Sequence, residues 1–332
     1  MICCNKCFED PEIQASIISL GHKGNCPSCK SDDVYLYDFE NNSNSIGLEE
    51  HLNSILEIYC PNTLLPDNYP ENEKKAIEDR VLHDWNIFKN DIKIVKKIIK
   101  IIVEKSFNLD DRILIEKVGI PELFDEEYLS KNSCMGKYNW EEFKKNLRNG
   151  NRFHNHYANL EVLREILKDA EITIYADEKY YRSRVANEKG KVGFKRKEMG
   201  APPDDVASAG RANSKGQSCL YLSNKKETTV KEIRAHAFDY VTIATFKLIK
   251  DIKVLDLTSI THNSPFYNDG DKIVYLINEK ILKLIEKDLA KPLSRYDSEL
   301  DYLPTQYISD FAKFLGYDGV KYYSTFDKDS YN

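Results

Sequence analysis

The residues with the clearest chemical content lie between Ser208 and His236, in the stretch "SAGRANSKGQSCLYLSNKKETTVKEIRAH". Gly210 and Gly216 frame Arg211 in a loop able to approach a ligand closely. A strand-like run, Cys219 to Ser223, presents Tyr221, and the helical segment after it presents Glu232. An arginine offers a planar fork for phosphate or another anion. A tyrosine supplies a flat face and a hydroxyl. A glutamate can accept a hydrogen bond from a ribose hydroxyl and stabilise positive charge on the adjacent sugar carbon.

Together the three suit cleavage of a bond between ribose and a cationic leaving group, through an oxocarbenium-like transition state. The best-known substrate of that description is NAD, with nicotinamide leaving. The same residue types within one short stretch also arise by chance, so spacing alone leaves a structural role open. His236, one helical turn beyond Glu232, is read as near the site or as a surface position. His154 and His156, in "RFHNHYA", are read as capping or surface residues rather than a metal pair.

A second chemical signal stands at the N-terminus. Of eight cysteines, Cys3, Cys4, Cys7, Cys26 and Cys29 fall within the first thirty residues. "CNKC" and "CPSC" are two CxxC knuckles. Each turn points two thiolates at one centre, and two knuckles complete a tetrahedral site. The spacing predicts a closed, structural Zn2+ site of Cys4, Cys7, Cys26 and Cys29, with Cys3 as the spare. Residues 1–33 carry Lys6, Lys23 and Lys30 against Glu9, Asp10, Glu12, Asp32 and Asp33. An acidic ribbon is a poor phosphate binder.

The elements that must position these groups fall into three regions: a zinc ribbon over 1–35, a helical domain over 36–170 and a catalytic domain over 171–332. In the helical region Ile77, Val81, Trp85, Phe88, Ile92, Val95, Ile99 and Ile102 recur at spacings of three and four, predicting a long helix or a pair. "NWEEFKKNLRN" and "NLEVLREILKDA" repeat that period. Beyond residue 175, Cys219–Ser223, Val241–Ile249 and Ile252–Thr258 read as strands, and Lys250-Asp251 reads as a hairpin between the last two. "DKIVYLINEKILKLIEKDLA" and "PTQYISDFAKFLG" read as helices, Gly316 capping the second, and Gly319–Ser324 as a late strand. Helices and strands without strict alternation predict an α+β fold.

A net charge of −6 over 332 residues argues against a nucleic-acid partner. The one basic run, Lys189–Lys197, reads as a solvated loop or the border of an anion site. No apolar run reaches membrane-spanning length and no signal peptide opens the chain, so a cytoplasmic, reducing location is expected.

Several blocks taken together, "YYRSRVA", "GAPPDDVASAGRANSKGQSCLYLS", "TTVKEIRAH" and "LGYDGVKYYST", resemble the successive blocks of the RES domain family. The resemblance runs over roughly residues 175–327. The N-terminal part is similar to the zinc-knuckle and helical extension, called a HEPN/RES N-terminal region, that precedes some members. Asn213 follows Ala212 where many members have a bulky residue, and the Lys189–Lys197 insert is variable ground.

The resemblance implies an ADP-ribosyltransferase-like fold and consumption of NAD by hydrolysis or phosphorolysis, in the manner of toxins restrained by an Xre-type helix-turn-helix antitoxin. It places the family arginine, tyrosine, glutamate and serine at Arg211, Tyr221, Glu232 and Ser324. Arg211 would grip the pyrophosphate or an attacking phosphate, and Tyr221 would pack on the nicotinamide riboside. Glu232 would stabilise the ribosyl cation, and Ser324 would orient that end. Arg182, Arg184, Gly210 and Asn213 are expected around the substrate, and a homo-oligomer is expected. The alternatives are an ADP-ribosyltransferase acting on a macromolecule, or an interaction module that senses a nucleotide without turning it over.

Overall fold

The computed structural model of the chain describes residues 1–41, 47–89, 91–154, 156–186, 192–260, 264–266, 270–291 and 298–332. Part of the basic run, residues 189–191, lies outside them. The chain divides into two compact units, one of residues 1–129 and 263–277, the other of 130–262 and 278–332. No helix among the described residues is long and apolar enough to cross a membrane.

In the first unit β1 (Ile2–Cys4), β2 (Lys23–Gly24) and β3 (Val34–Asp38) form a small antiparallel sheet in the order β1-β3-β2. Between the first two strands lies α1 (Pro11–Ser19), capped by the Asp10 side chain, which accepts from Ile13 N, with Pro11 in its first turn. There follow α2 (Leu48–Leu56), β4 (Cys60–Pro61), α3 (Ile77–Asp84), α4 (Ile92–Lys105) and β5 (Val118–Gly119), which pairs with β4.

The expected apolar stripe is thus resolved as a pair of helices. Trp85 turns extended at the end of α3 and Asp91 restarts the helix by capping Lys93 N and Ile94 N. Ile77, Val81, Val95, Ile99 and Ile102 are buried as their period requires, whereas Ile92 is exposed at the first position of α4.

The chain continues through α5 (Glu126–Asn132). In the second unit α6 (Trp140–Asn149) opens with a capping box between Asn139 and Glu142, and α7 (Leu160–Lys168) is capped by Asn159. The strands are β6 (Glu171–Ile174), β7 (Lys179–Val185), β8 (Val241–Lys247), β9 (Ile252–Asp256), β10 (Gly319–Lys321), β11 (Tyr323–Ser324) and β12 (Asp327–Tyr331). The helices among them are α8 (Lys226–Glu232), α9 (Leu257–Ile260), α10 (Lys272–Ala290) from Asn278 onward, its first turns belonging to the first unit, and α11 (Leu303–Phe314). Gly316, at φ +94°, ends α11 as anticipated. Mixed helix and strand without regular alternation make the fold α+β. The core joins Trp140, Phe143, Leu163, Leu255, Ile285 and Ile308.

Two strand expectations are corrected. No hairpin forms at Lys250-Asp251. β8 pairs with β7, Lys179 opposite Lys247, and β9 pairs with β6, Ile174 opposite Ile252, so one antiparallel register continues across the gap. The break is a kink shared by both chains. Asp177 takes φ +76° and its amide donates to Leu248 O, while Asp251 Oδ1 accepts from Ala176 N at 2.7 Å. Nor is Cys219–Ser223 a strand; only Ser223 bridges, to Tyr181. Its preceding residues line cavities instead. The late strand is interrupted at Tyr322, which separates β10, parallel to β9, from β11, antiparallel to β12.

Candidate active site and thiolate cluster

Arg211 sits in a loop held from inside. Gly210 N donates to Asn213 O at 2.9 Å, and the buried Asn213 amide nitrogen lies 2.9, 3.1 and 3.0 Å from the carbonyls of Ser208, Ser214 and Gln217. Gln306 of α11, also buried, donates to both Gly210 O and Asn213 O at 2.9 Å. The Tyr221 hydroxyl donates to Asn213 Oδ1 at 2.8 Å and accepts from Ala212 N at 2.9 Å. Gly210 is required by this approach: a Cβ there would overlap the Tyr221 hydroxyl and lie 2.6 Å from Asn213 Oδ1. Gly210 and Asn213 thus shape the loop.

Glu232 is the last residue of α8, which ends because Arg234 turns left-handed at φ +52°. The helix is fixed on β7 by a hydroxyl pair. Thr229 donates to Lys226 O, so Ser183 is the donor to Thr229 Oγ1 at 2.6 Å. Both carboxylate oxygens of Glu232 are satisfied: Oε2 accepts from Arg211 Nη2 at 3.0 Å, and Oε1 from Ser324 Oγ at 2.9 Å and Asn332 Nδ2 at 3.0 Å. Asn332 is itself clamped, its amide donating to Tyr322 O at 2.9 Å and its carbonyl accepting from Tyr322 N at 3.1 Å.

Arg211 spends most of its fork internally. Nη1 donates to Ala290 O at 2.8 Å and Leu289 O at 3.3 Å, the carbonyls left open at the end of α10, and the guanidinium lies 5.4 Å from the Tyr322 ring centroid. Burial works against the charge, yet Tyr322 and Glu232 hold Arg211 above its ordinary pKa. Burial pushes the hydroxyls of Tyr221 and Tyr322 up, Tyr322 to about 12, so both stay protonated at neutral pH.

These side chains border a cavity of about 240 Å³ whose wall includes Arg182, Arg211, Tyr221, Glu232, Tyr322 and Asn332. Four sequence-predicted residues therefore meet around one space, with Ser324 behind Glu232. Arg182 donates to Gly200 O at 2.8 Å; burial, and then Arg184, pull its pKa below the usual value. Arg184 is not at the cavity. It bonds the Glu198 carbonyl and stacks on Phe194, 4.2 Å from the ring centroid. His236 is exposed and donates its amide to Asp239. His154 and His156 are exposed as expected. In the described part of the basic run, 192–197, the basic residues Lys195, Arg196 and Lys197 are exposed at a short turn.

Tyr322, Asn332 and Gln306 carry no signal in the sequence. Gln306 meets Gly210 and Asn213 across 96 and 93 positions, Asn332 meets Glu232 across 100, and the Tyr322 ring meets Arg211 from a segment more remote still.

In the first unit the sulfurs of Cys4, Cys7, Cys26 and Cys29 lie within 4.8 Å of one another. Neighbouring pairs stand at 3.5 Å (Cys4–Cys29) and 3.8 Å (Cys4–Cys7 and Cys7–Cys26). Tetrahedral bonds of about 2.3 Å to a central zinc would separate sulfurs by about 3.8 Å, so the residues fit such an ion. The second knuckle closes through Lys30 N to Cys26 O, with Lys30 at φ +62°. Cys3 stays outside, its sulfur 3.6 Å from Ser28 Oγ.

Residues 183–332 match the model of the RES domain family. The matched span contains Arg211, Tyr221, Glu232 and Ser324 and begins one residue after Arg182. No curated protein and no solved structure matches the chain.

Proposed function

We propose that this chain, which carries a RES domain over residues 183–332, cleaves the bond between nicotinamide and ribose in NAD. The observation that carries the reading is the Glu232 carboxylate, fixed by Arg211, Ser324 and Asn332 at the wall of a cavity that Arg182 and Tyr221 share. As the glycosidic bond breaks, its electron pair leaves with nicotinamide, neutralising the pyridinium. The ribosyl carbon becomes cationic. A preorganised carboxylate stabilises that charge without having to reorient. Water or phosphate then adds to the ribosyl carbon and loses a proton, giving ADP-ribose or its 1″-phosphate.

Within this reading Arg211 is a positioning residue, because both ends of its fork are engaged, Nη2 with Glu232 and Nη1 with the end of α10. Arg182 is the anion contact, since it borders the cavity with one hydrogen bond made. Tyr221, held protonated, packs against the riboside. The Cys4 quartet holds Zn2+, which is structural because four thiolates leave it no open position. Restraint by an Xre-type helix-turn-helix partner and assembly as a homo-oligomer belong to the same proposal and rest on the resemblance.

Mass analysis of products from NAD and the purified chain, with and without inorganic phosphate, tests the reading. Free nicotinamide with ADP-ribose or ADP-ribose phosphate is the expected outcome. Label from NAD retained on a macromolecule would favour the transferase alternative, and intact NAD would overturn cleavage.

A further inference from the structure

The cavity beside Glu232 is too small for a dinucleotide. Pockets that hold drug-sized ligands run from about 300 to 1,000 Å³, and this one measures about 240 Å³. A second cavity of about 470 Å³ shares Tyr221, Leu222, Tyr322 and Asn332 with it, and the two together fall within that range. Its other wall comes from the C-terminal turns of α11. There Asp310 and Lys313, three residues apart on one face, are both exposed.

Both cavities carry charges of both signs: Arg182, Arg211 and Glu232 border the smaller, and Lys313, Asp310 and Asp318 the larger. Burial pushes the Cys219 thiol up, while Arg182 and Lys313 both pull it down, so two cations stand within electrostatic reach of one side chain. Arg182 borders the smaller cavity; Lys313 and Cys219 border the larger. The buried hydroxyl of Tyr322, which lines both, has no hydrogen-bond partner among the described residues.

We propose that the larger cavity binds the adenosine monophosphate half of the dinucleotide, with the pyrophosphate crossing the junction between Lys313 and Arg182. The inference rests on the NAD reading for its second half but makes its own claim about AMP. Lys313 faces the phosphate as a point charge. Asp310, one turn earlier, accepts from the ribose hydroxyls, and the unpartnered Tyr322 hydroxyl donates to the bridging phosphate.

Calorimetric titration of AMP and ADP-ribose into Glu232→Gln protein, with and without Lys313→Glu, tests the site. Lys313 is exposed, so the substitution leaves the core intact. Charge reversal should weaken both ligands about tenfold or more, the loss of at least one charge-assisted contact. In the otherwise parental chain it should raise KM for NAD about tenfold more than for nicotinamide mononucleotide, which lacks the second half. AMP affinity unmoved by the substitution, or equal losses on the two substrates, would overturn the proposal. AMP binding that depends on Lys313 in a chain that leaves NAD intact would support the site and overturn only the cleavage reading.

Discussion

Ser324 donates its hydroxyl to Glu232 Oε1 at 2.9 Å across 92 positions of sequence. The contact joins the β11–β12 ribbon to the end of α8 and fixes the rotation of the carboxylate that faces the cavity. With Asn332 on the same oxygen and Arg211 on the other, three donors from three segments converge on one side chain.

Replacing Glu232 with Gln removes the charge and turns an NH2 group toward groups that are themselves donors. Turnover of NAD is expected to fall about 100-fold to 1,000-fold, the effect of one preorganised electrostatic group. The clash of donors should cost about 1–3 kcal/mol of stability. Turnover by a nicotinamide-release assay and denaturant unfolding check the two parts. A mutant that consumes NAD at the parental rate would remove Glu232 from the reaction.

Asn332→Ala deletes one donor and leaves Ser324 and Arg211 in place. If Asn332 positions the carboxylate, kcat drops about tenfold while KM changes little, since one hydrogen bond to a charged group is worth about 1.5–3 kcal/mol. A parental kcat would reduce Asn332 to a strand-end residue.

Arg211→Ala is expected to be chiefly a stability mutant. It strands Glu232 in a partly buried site and leaves the Leu289 and Ala290 carbonyls without their donor. Breaking a buried pair from one side costs about 3 kcal/mol. Arg211→Lys should recover little, because an ammonium cannot span both the carbonyls and the carboxylate as the fork does. Urea unfolding of both variants separates this from a simple loss of substrate affinity, which would leave the midpoint where it was.

Gly210→Ala probes the approach of Tyr221. The added methyl group overlaps the Tyr221 hydroxyl and crowds Asn213 Oδ1, so one of the two must move. Overpacking of this kind costs about 1–3 kcal/mol. The expected result is a lowered melting temperature with a raised KM, since the displaced ring borders both cavities. A parental KM would mean that the ring position does not matter to binding.

What the sequence made readable follows from distance along the chain. The two CxxC turns are local, so residue type and spacing suffice for them; Arg211, Tyr221 and Glu232 stand within one short stretch whose spacing suggests the chemistry, and the resemblance of the surrounding blocks supplies their roles. Asn332, Tyr322 and Gln306 meet Glu232, Arg211 and the Gly210–Asn213 loop only through contacts between distant segments, which one sequence does not specify. Local signals also misled. Lys250-Asp251 is polar and lies between two apolar runs, as a hairpin turn would be, but the chain only kinks there because Glu171–Val185 supplies a partner for both halves. Arg182 and Arg184 share a strand and look equivalent, yet Glu198 and Phe194 draw Arg184 away from the cavity.

The thiolate quartet yields a contrast within one cluster. The purified chain should carry about one zinc ion by elemental analysis, and Cys26→Ser should lose it. Binding at such sites contributes on the order of 10 kcal/mol of folding free energy, so the loss should expose residues 1–38 to proteolysis. Cys3→Ser is the control. Cys3 is as buried as Cys4 and Cys7 and lies beside Cys7 and Ser28, but it is outside the quartet whose sulfurs close within 4.8 Å of one another, so the variant should keep its metal and its protease resistance. Burial alone would predict equal damage from both substitutions; metal ligation predicts that only one of them releases zinc. A parental chain without metal would defeat the assignment outright.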